Sequence, residues 1–143
     1  MTIADVTENA ILNLIFSGTT WANYAQNAAS APETNIVAGM HTADPGEAGT
    51  MATSEAAYTN YARQNVLRST GWSTAVAGSV SPANPINFPA SGAAGATITH
   101  WSTGKSGGGA APLLWSGGVS PTVAIGASGI TPQLTTATTI TLD

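Results

Sequence analysis

The chain has 143 residues, enough for one domain with a sizeable core. Only 7% of residues are charged, the formal net charge is −4 and cysteine is absent, yet 43% of residues are hydrophobic. Three basic residues, Arg63, Arg68 and Lys105, are too few to neutralise a run of nucleic-acid phosphates, the lack of cysteine excludes disulfides and thiolate metal sites, and the apolar content excludes a disordered chain.

The start of the chain predicts a short helix over residues 1–18. Asp5 stands as a candidate cap, with Glu8 three residues on in a pattern close to a capping box. Ala10, Ile11, Leu14 and Ile15 fall at helical spacing, with Phe16 close by, and Gly18 is the expected stop. This helix is expected to pack on a β core; the sharper alternative is an arm that docks on a neighbour. MTIADVTENA lacks the basic start of a secretory signal. AILNLIF is far shorter than the ~20 residues of a membrane span. The expectation is therefore a soluble chain with no membrane partner.

Trp21 to Pro32 is rich in Ala and Asn and has no clear period, although Trp21 and Tyr24 are candidate anchors. From Glu33 onwards the pattern is strands and turns. The expected strands are NIVAGMHT (35–42), YTNYARQNVLR (58–68), GWSTAVAG (71–78), Ile86 to Phe88, ATITHWST (96–103), PLLWS (112–116) and TVAIG (122–126). ITPQLTTATTITLD alternates most clearly. Ile130, Leu134, Ile140 and Leu142 share one parity, and threonines with Gln133 take the other. Pro132 suggests an edge or a break, so two short strands are expected here. About eight strands at roughly ten-residue spacing predict an all-β fold, a jelly-roll-like antiparallel β-sandwich with a short N-terminal helix. No repeat or domain boundary is visible, so the expected organisation is a single domain over 1–143, with the sandwich over 33–143.

HTADPGE, His41 to Glu47, concentrates rare ionisable residues. A metal site needs three or more converging ligands. Asp-Pro-Gly reads more simply as a turn. Asp44 accepts backbone hydrogen bonds, Pro45 presets φ and Gly46 takes a positive φ. His41 then ends the preceding strand. GKSGGG (104–109) carries the letters of a phosphate loop, but Thr99 stands where the first glycine is required, and no helix is expected after it. It reads as a flexible hairpin tip. Trp21, Trp72, Trp101 and Trp115 are read as core or subunit-interface residues; exposed, such rings bind sugar. No catalytic, cofactor-binding or metal residue is assigned, no cofactor is expected, and the chain is not expected to be an enzyme.

A surface of Thr, Ser, Asn and Gln needs little charge desolvation when buried against a partner, which suits a component of an assembly. The order of motifs bears on this. ENAILNLIFSGTTW, HTADPGEAGT, YTNYARQNVL, INFPAS, ATITHWSTGKSGG, PLLWSGGVS and the terminal TITLD resemble a family of small phage virion structural proteins that are often labelled tail-fibre-like. The chain is most similar to the capsid cement, or decoration, proteins of short-tailed phages. It departs from the commoner form in its Ala/Asn segment, Trp21 to Pro32, and in its glycine-rich loop after Trp101. The resemblance implies a cement protein on the outer surface of the mature capsid. Such a protein bridges subunits of the major capsid protein, pairs with itself as a homodimer and binds no nucleic acid. The alternative implied is a tail or fibre component that contacts the host receptor. A small hydrolase or carbohydrate-binding module is a third reading, resting on the acids and exposed tryptophans.

Overall fold

The computed structural model describes residues 4–21 and 32–142. Tyr24 and most of the Ala/Asn segment lie outside the described residues. The protein is mostly β, with one short N-terminal helix and eight strands in antiparallel sheets, the class expected from the sequence. The strands form one four-stranded sheet and two two-stranded ladders among the described residues. Contacts gather into two compact units, each built from separated stretches of chain.

The first unit contains residues 1–35, 66–85 and 134–143. Its helix α1 (Asp5–Leu12) continues into one π-helical turn, Asn13–Ser17. The N-cap is Ala4, one residue before the expected cap, and it makes no side-chain cap bond. Gly18 ends the helix with φ 66°, the left-handed conformation that glycine adopts without a Cβ penalty. The buried stripe is Glu8, Leu12 and Phe16, at i, i+4 spacing, whereas Ala10, Ile11, Leu14 and Ile15 are only half-buried. The expected face is thus rotated, because polar residues also turn inward. Asn9 Oδ1 accepts the Gly78 N–H at 2.8 Å, and Asn13 Oδ1 accepts the Ala75 N–H at 2.9 Å.

Those asparagines grip a tight turn. Val76 and Ser79 exchange both backbone hydrogen bonds at 3.0 Å. Between them Ala77 (φ 48°) and Gly78 (φ 65°) are both left-handed, as a type I′ hairpin turn requires. The expected strand over 71–78 is therefore one arm of this small hairpin and pairs only through isolated bridges, Trp72 with Pro82 and Val76 with Ser79. The strand β3 (Ser79–Val80) pairs antiparallel with the C-terminal strand β8 (Ile140–Thr141), placing Val80 opposite Ile140. Leu12, Phe16, Trp72, Ala75, Val80, Leu134 and Ile140 are among the buried apolar residues described in this unit. Phe16 meets Trp72 edge-on, with ring centroids 4.7 Å apart. Helix α1 and its π turn have no basic residue in their last turn, and Arg68 supplies one from elsewhere. Its guanidinium donates to the carbonyls of Leu14 and Ile15, and to that of Glu33 at 2.7 Å. The helix therefore belongs to the body of this unit.

The second unit contains residues 36–65 and 86–133. Its sheet has the order β2-β1-β5-β6, built from β1 (Asn35–His41), β2 (Gln64–Leu67), β5 (Thr97–Gly104) and β6 (Leu113–Ala124). From Ile36 to His41 every residue of β1 is buried, as expected of a near-continuous apolar strand with neighbours on both sides. The strand expected over 58–68 is cut to β2. Asn60 is left-handed, with φ 76°, the Tyr61 N–H donates to the Tyr58 carbonyl, and the tyrosines act as ties. The Tyr61 hydroxyl accepts the Met40 N–H at 3.0 Å, and the Tyr58 hydroxyl donates to the Pro89 carbonyl at 2.9 Å. The ladder of β4 (Ile86–Asn87) and β7 (Gln133–Leu134) lies beside a bond from the Phe88 N–H to the Pro132 carbonyl.

The two strands expected at 112–116 and 122–126 are one strand, β6. Its register against β5 jumps midway: Ile98 faces Val123, but His100 faces Gly118. Val119 to Thr122 thus stand opposite Thr99 alone, and Pro121 sits in this break, where its missing N–H removes no ladder bond. The C-terminal alternation holds at its centre, while Ile130 and Leu142 are only half-buried, and a turn at residues 136–137, not Pro132, separates the two strands. Leu134 and Ile140 are buried, while Thr131, Gln133, Thr135, Thr139 and Thr141 are exposed.

Candidate functional site

The HTADPGE segment divides into an inside and an outside. His41 closes β1 and is 0% exposed, whereas Asp44 and Glu47 are exposed. They do not converge as ligands, and no group of three or more metal-binding side chains occurs among the described residues. The positive φ at Gly46 and the Asp44 acceptor are as expected, but the hydrogen-bonded turn lies further on, around Glu47 and Ala48. Gly46 has φ 68°, its N–H donates to Asp44 Oδ1 at 2.9 Å, and the Gly49 N–H donates to the Gly46 carbonyl at 3.0 Å. Pro45 is buried, which anchors the turn, and a Cβ on Gly49 would strike the Pro45 carbonyl.

Inside, the register makes a contact that the sequence does not announce. His41 faces His100 across β1 and β5, and Gly39 faces Ser102. Directly opposite residues share a face of the sheet. Gly39 has no side chain, so the Ser102 hydroxyl, the His41 ring and the Met51 methyl crowd over its Cα; an added Cβ would lie 3.2, 3.6 and 3.0 Å from them. His41 Nε2 is 2.6 Å from Ser102 Oγ, and Nδ1 is 2.8 Å from the Thr53 carbonyl. A carbonyl only accepts, so Nδ1 carries the proton and Nε2 accepts from the serine hydroxyl. Burial lowers the His41 pKa from the ordinary 6.5, outweighing the Thr53 carbonyl and Glu55, which raise it. A serine beside a histidine has the outline of a nucleophile and base. Here both residues are sealed from solvent, and the third partner is a backbone carbonyl in place of an orienting carboxylate.

Outside, Asp44, Gly46 and Glu47 form one wall of a cleft of about 410 Å³, and Leu113 to Ser116 of β6 form the other. Its lining has two carboxylates, the half-buried Trp115, the exposed Leu114 and no basic residue. Carboxylates accept hydrogen bonds only, and an indole adds apolar contact. The cleft is therefore suited to a donor-rich group that is neutral or cationic, and it disfavours an anion. Trp72 and Trp101 are buried, as expected for core residues, and Trp101 lies over Gly117, where a Cβ would come 3.0 Å from its Nε1.

The glycine-rich loop is held more firmly than a free hairpin tip. Arg63 pairs with both oxygens of Glu55, at 2.6 and 2.7 Å, and Nη2 also donates to the Gly109 carbonyl at 2.7 Å. Nη1 reaches the Gly107 carbonyl at 3.4 Å. The backbone N–H of Lys105 donates to the Pro112 carbonyl at 3.0 Å. With its carbonyls committed to a guanidinium, the loop has lost part of the freedom that its composition implies.

The chain is thus a small, mostly β protein with a long uncharged edge strand and a surface cleft. Residues 2–141 match the family model described as "Podophage GP4 fiber I protein gp80". The chain belongs to this family, and it is accordingly a phage virion structural protein. No curated protein matches it.

Proposed function

We propose that the protein is a structural component of the fibre of a short-tailed phage and that it contacts the host receptor. The observation that carries this reading is the match of residues 2–141 to a podophage fibre family. The cleft of Asp44, Glu47 and Trp115 is the contact surface, because it joins a tightly built turn to an aromatic wall. A preset surface loses little entropy on binding. The protein's work is binding, with no catalytic step and no cofactor. The capsid-cement reading has one observation on its side. The edge strand Leu113–Ala124 has twelve residues and no charge, which suits burial against a neighbouring subunit. Its partners would be the major capsid protein and a second copy of the chain.

The receptor reading is tested by competition. Purified protein added to host cells slows adsorption of the phage. A triple variant, Asp44→Asn, Glu47→Gln and Trp115→Ala, with an unchanged melting temperature competes less well by at least about tenfold, the loss that a single charged hydrogen bond already accounts for. Wild-type protein that neither binds host cells nor slows adsorption contradicts receptor contact.

A further inference from the structure

The only two histidines of the chain, His41 and His100, are cross-strand neighbours on one face of the sheet. His41 is also the tie that holds the Thr42–Glu55 segment to that sheet. Its Nδ1–H reaches out to the Thr53 carbonyl, and its Nε2 faces back to Ser102 on β5. Backbone bonds add to this tie: the Met51 N–H donates to the Ala111 carbonyl and the Ala56 N–H to the Met40 carbonyl, the Thr42 N–H closes the segment on the Ser54 carbonyl, and Arg63 holds Glu55 at its end. The titratable and charged groups around His41 are Glu55, Tyr61 and Arg63 from the chain between β1 and β2, and His100 from β5. Glu55 is already engaged by Arg63 through both carboxylate oxygens, and burial holds the Tyr61 phenol neutral. A second positive charge at His41 therefore meets a carboxylate that is already paired, a guanidinium and another imidazole.

We propose that His41 is an acid-sensitive latch: neutral, it clamps the Thr42–Glu55 segment onto the sheet, and protonated, it releases that segment together with the Asp44–Glu47 wall of the cleft. The proton enters at Nε2, the nitrogen without one. Ser102 then has to turn its hydroxyl away and accept from the new N–H, and Met51 Sδ, 3.4 Å from Ser102 Oγ, is the weak acceptor left for that hydroxyl hydrogen. Only the serine hydroxyl trades a good acceptor for a weak one; both imidazolium N–H bonds remain, and the cost that opens the latch is the charge created inside the sheet, which the released segment lets water solvate.

The sign follows from burial. The closed state disfavours the imidazolium, so the latch is fully closed above the ordinary value of 6.5. Below it the open state takes up the proton first, and opening grows by up to about tenfold per pH unit until the closed state also protonates.

Hydrogen exchange of the full chain tests this, with protection factors taken at about pH 8 and about pH 5 so that intrinsic exchange is removed. The amides of Thr42, Met51 and Ala56 are expected to lose about tenfold or more of their protection in acid, while Leu142, bonded to the Gly78 carbonyl in the other unit, keeps its own. His41→Gln, which does not titrate, is expected to abolish the difference. Should that variant fail to fold, the wild-type imidazole resonances decide: His41 must start as the Nδ1–H tautomer and gain its proton in step with the loss of protection. Unchanged protection at about pH 5, an equal loss at Leu142, or a loss out of step with His41 overturns the latch. These outcomes are independent of whether the chain binds a receptor.

Discussion

Phe16→Ala lowers the unfolding free energy by about 3–5 kcal/mol, the largest single loss expected in the chain. Phe16 is 0% exposed and makes an edge-on ring contact with the buried Trp72. Truncation removes the transfer free energy of the ring and leaves a cavity that the neighbouring Leu12 is too short to fill. The surrounding structure cannot collapse easily, because the side chains of Asn9, Asn13 and Arg68 hydrogen-bond backbone groups and so fix the helical segment to the rest of its unit. Denaturant titration gives the free energy directly, and the melting temperature falls by roughly 10 °C. A loss below about 1 kcal/mol would mean that the helix is a separable arm and not part of the unit's core.

Arg63→Ala costs about 2–3 kcal/mol. The Arg63–Glu55 pair is mostly shielded, with side-chain exposures of 14% and 22%, so it is worth more than a surface ion pair. Its removal strands the Glu55 carboxylate and leaves the carbonyls of Gly107 and Gly109 without their guanidinium. Lysine cannot replace it. An ammonium is a point donor and does not span two carboxylate oxygens and two carbonyls, so Arg63→Lys recovers less than half of the loss. The loop offers a local readout: trypsin cleaves after Lys105 faster in Arg63→Ala than in the wild type. Equal cleavage rates would show that the glycine loop owes nothing to Arg63.

Much of the fold was readable where one short period or one turn decides the outcome. The parity of Leu134 and Ile140, the strand at 35–41, the stop at Gly18 and the positive φ at Gly46 are local signals, and the structure has all four. The helix face was misread because hydropathy takes asparagine as an outward residue. Asn9 and Asn13 point inward, where backbone N–H groups of a turn more than sixty residues away need acceptors. That turn was hidden as well, since Ala77 occupies a left-handed position usually marked by Asn or Gly. The candidate site was half legible. The turn and its acids were visible, but their pairing with Trp115 across a cleft depends on where the chain returns after β5. The His41–Ser102 contact depends on strand register. A shift of one residue would put these side chains on opposite faces, and register over sixty residues is set by tertiary packing.

The proposed placement of this chain in the fibre can be read on the virion itself. Gold-labelled antibody against the purified protein, imaged on intact virions, tests it most directly. A few gold particles per virion, all at the tail and its fibres, are the expected result. Label spread evenly over the head, at a copy number close to that of the major capsid protein, would contradict it.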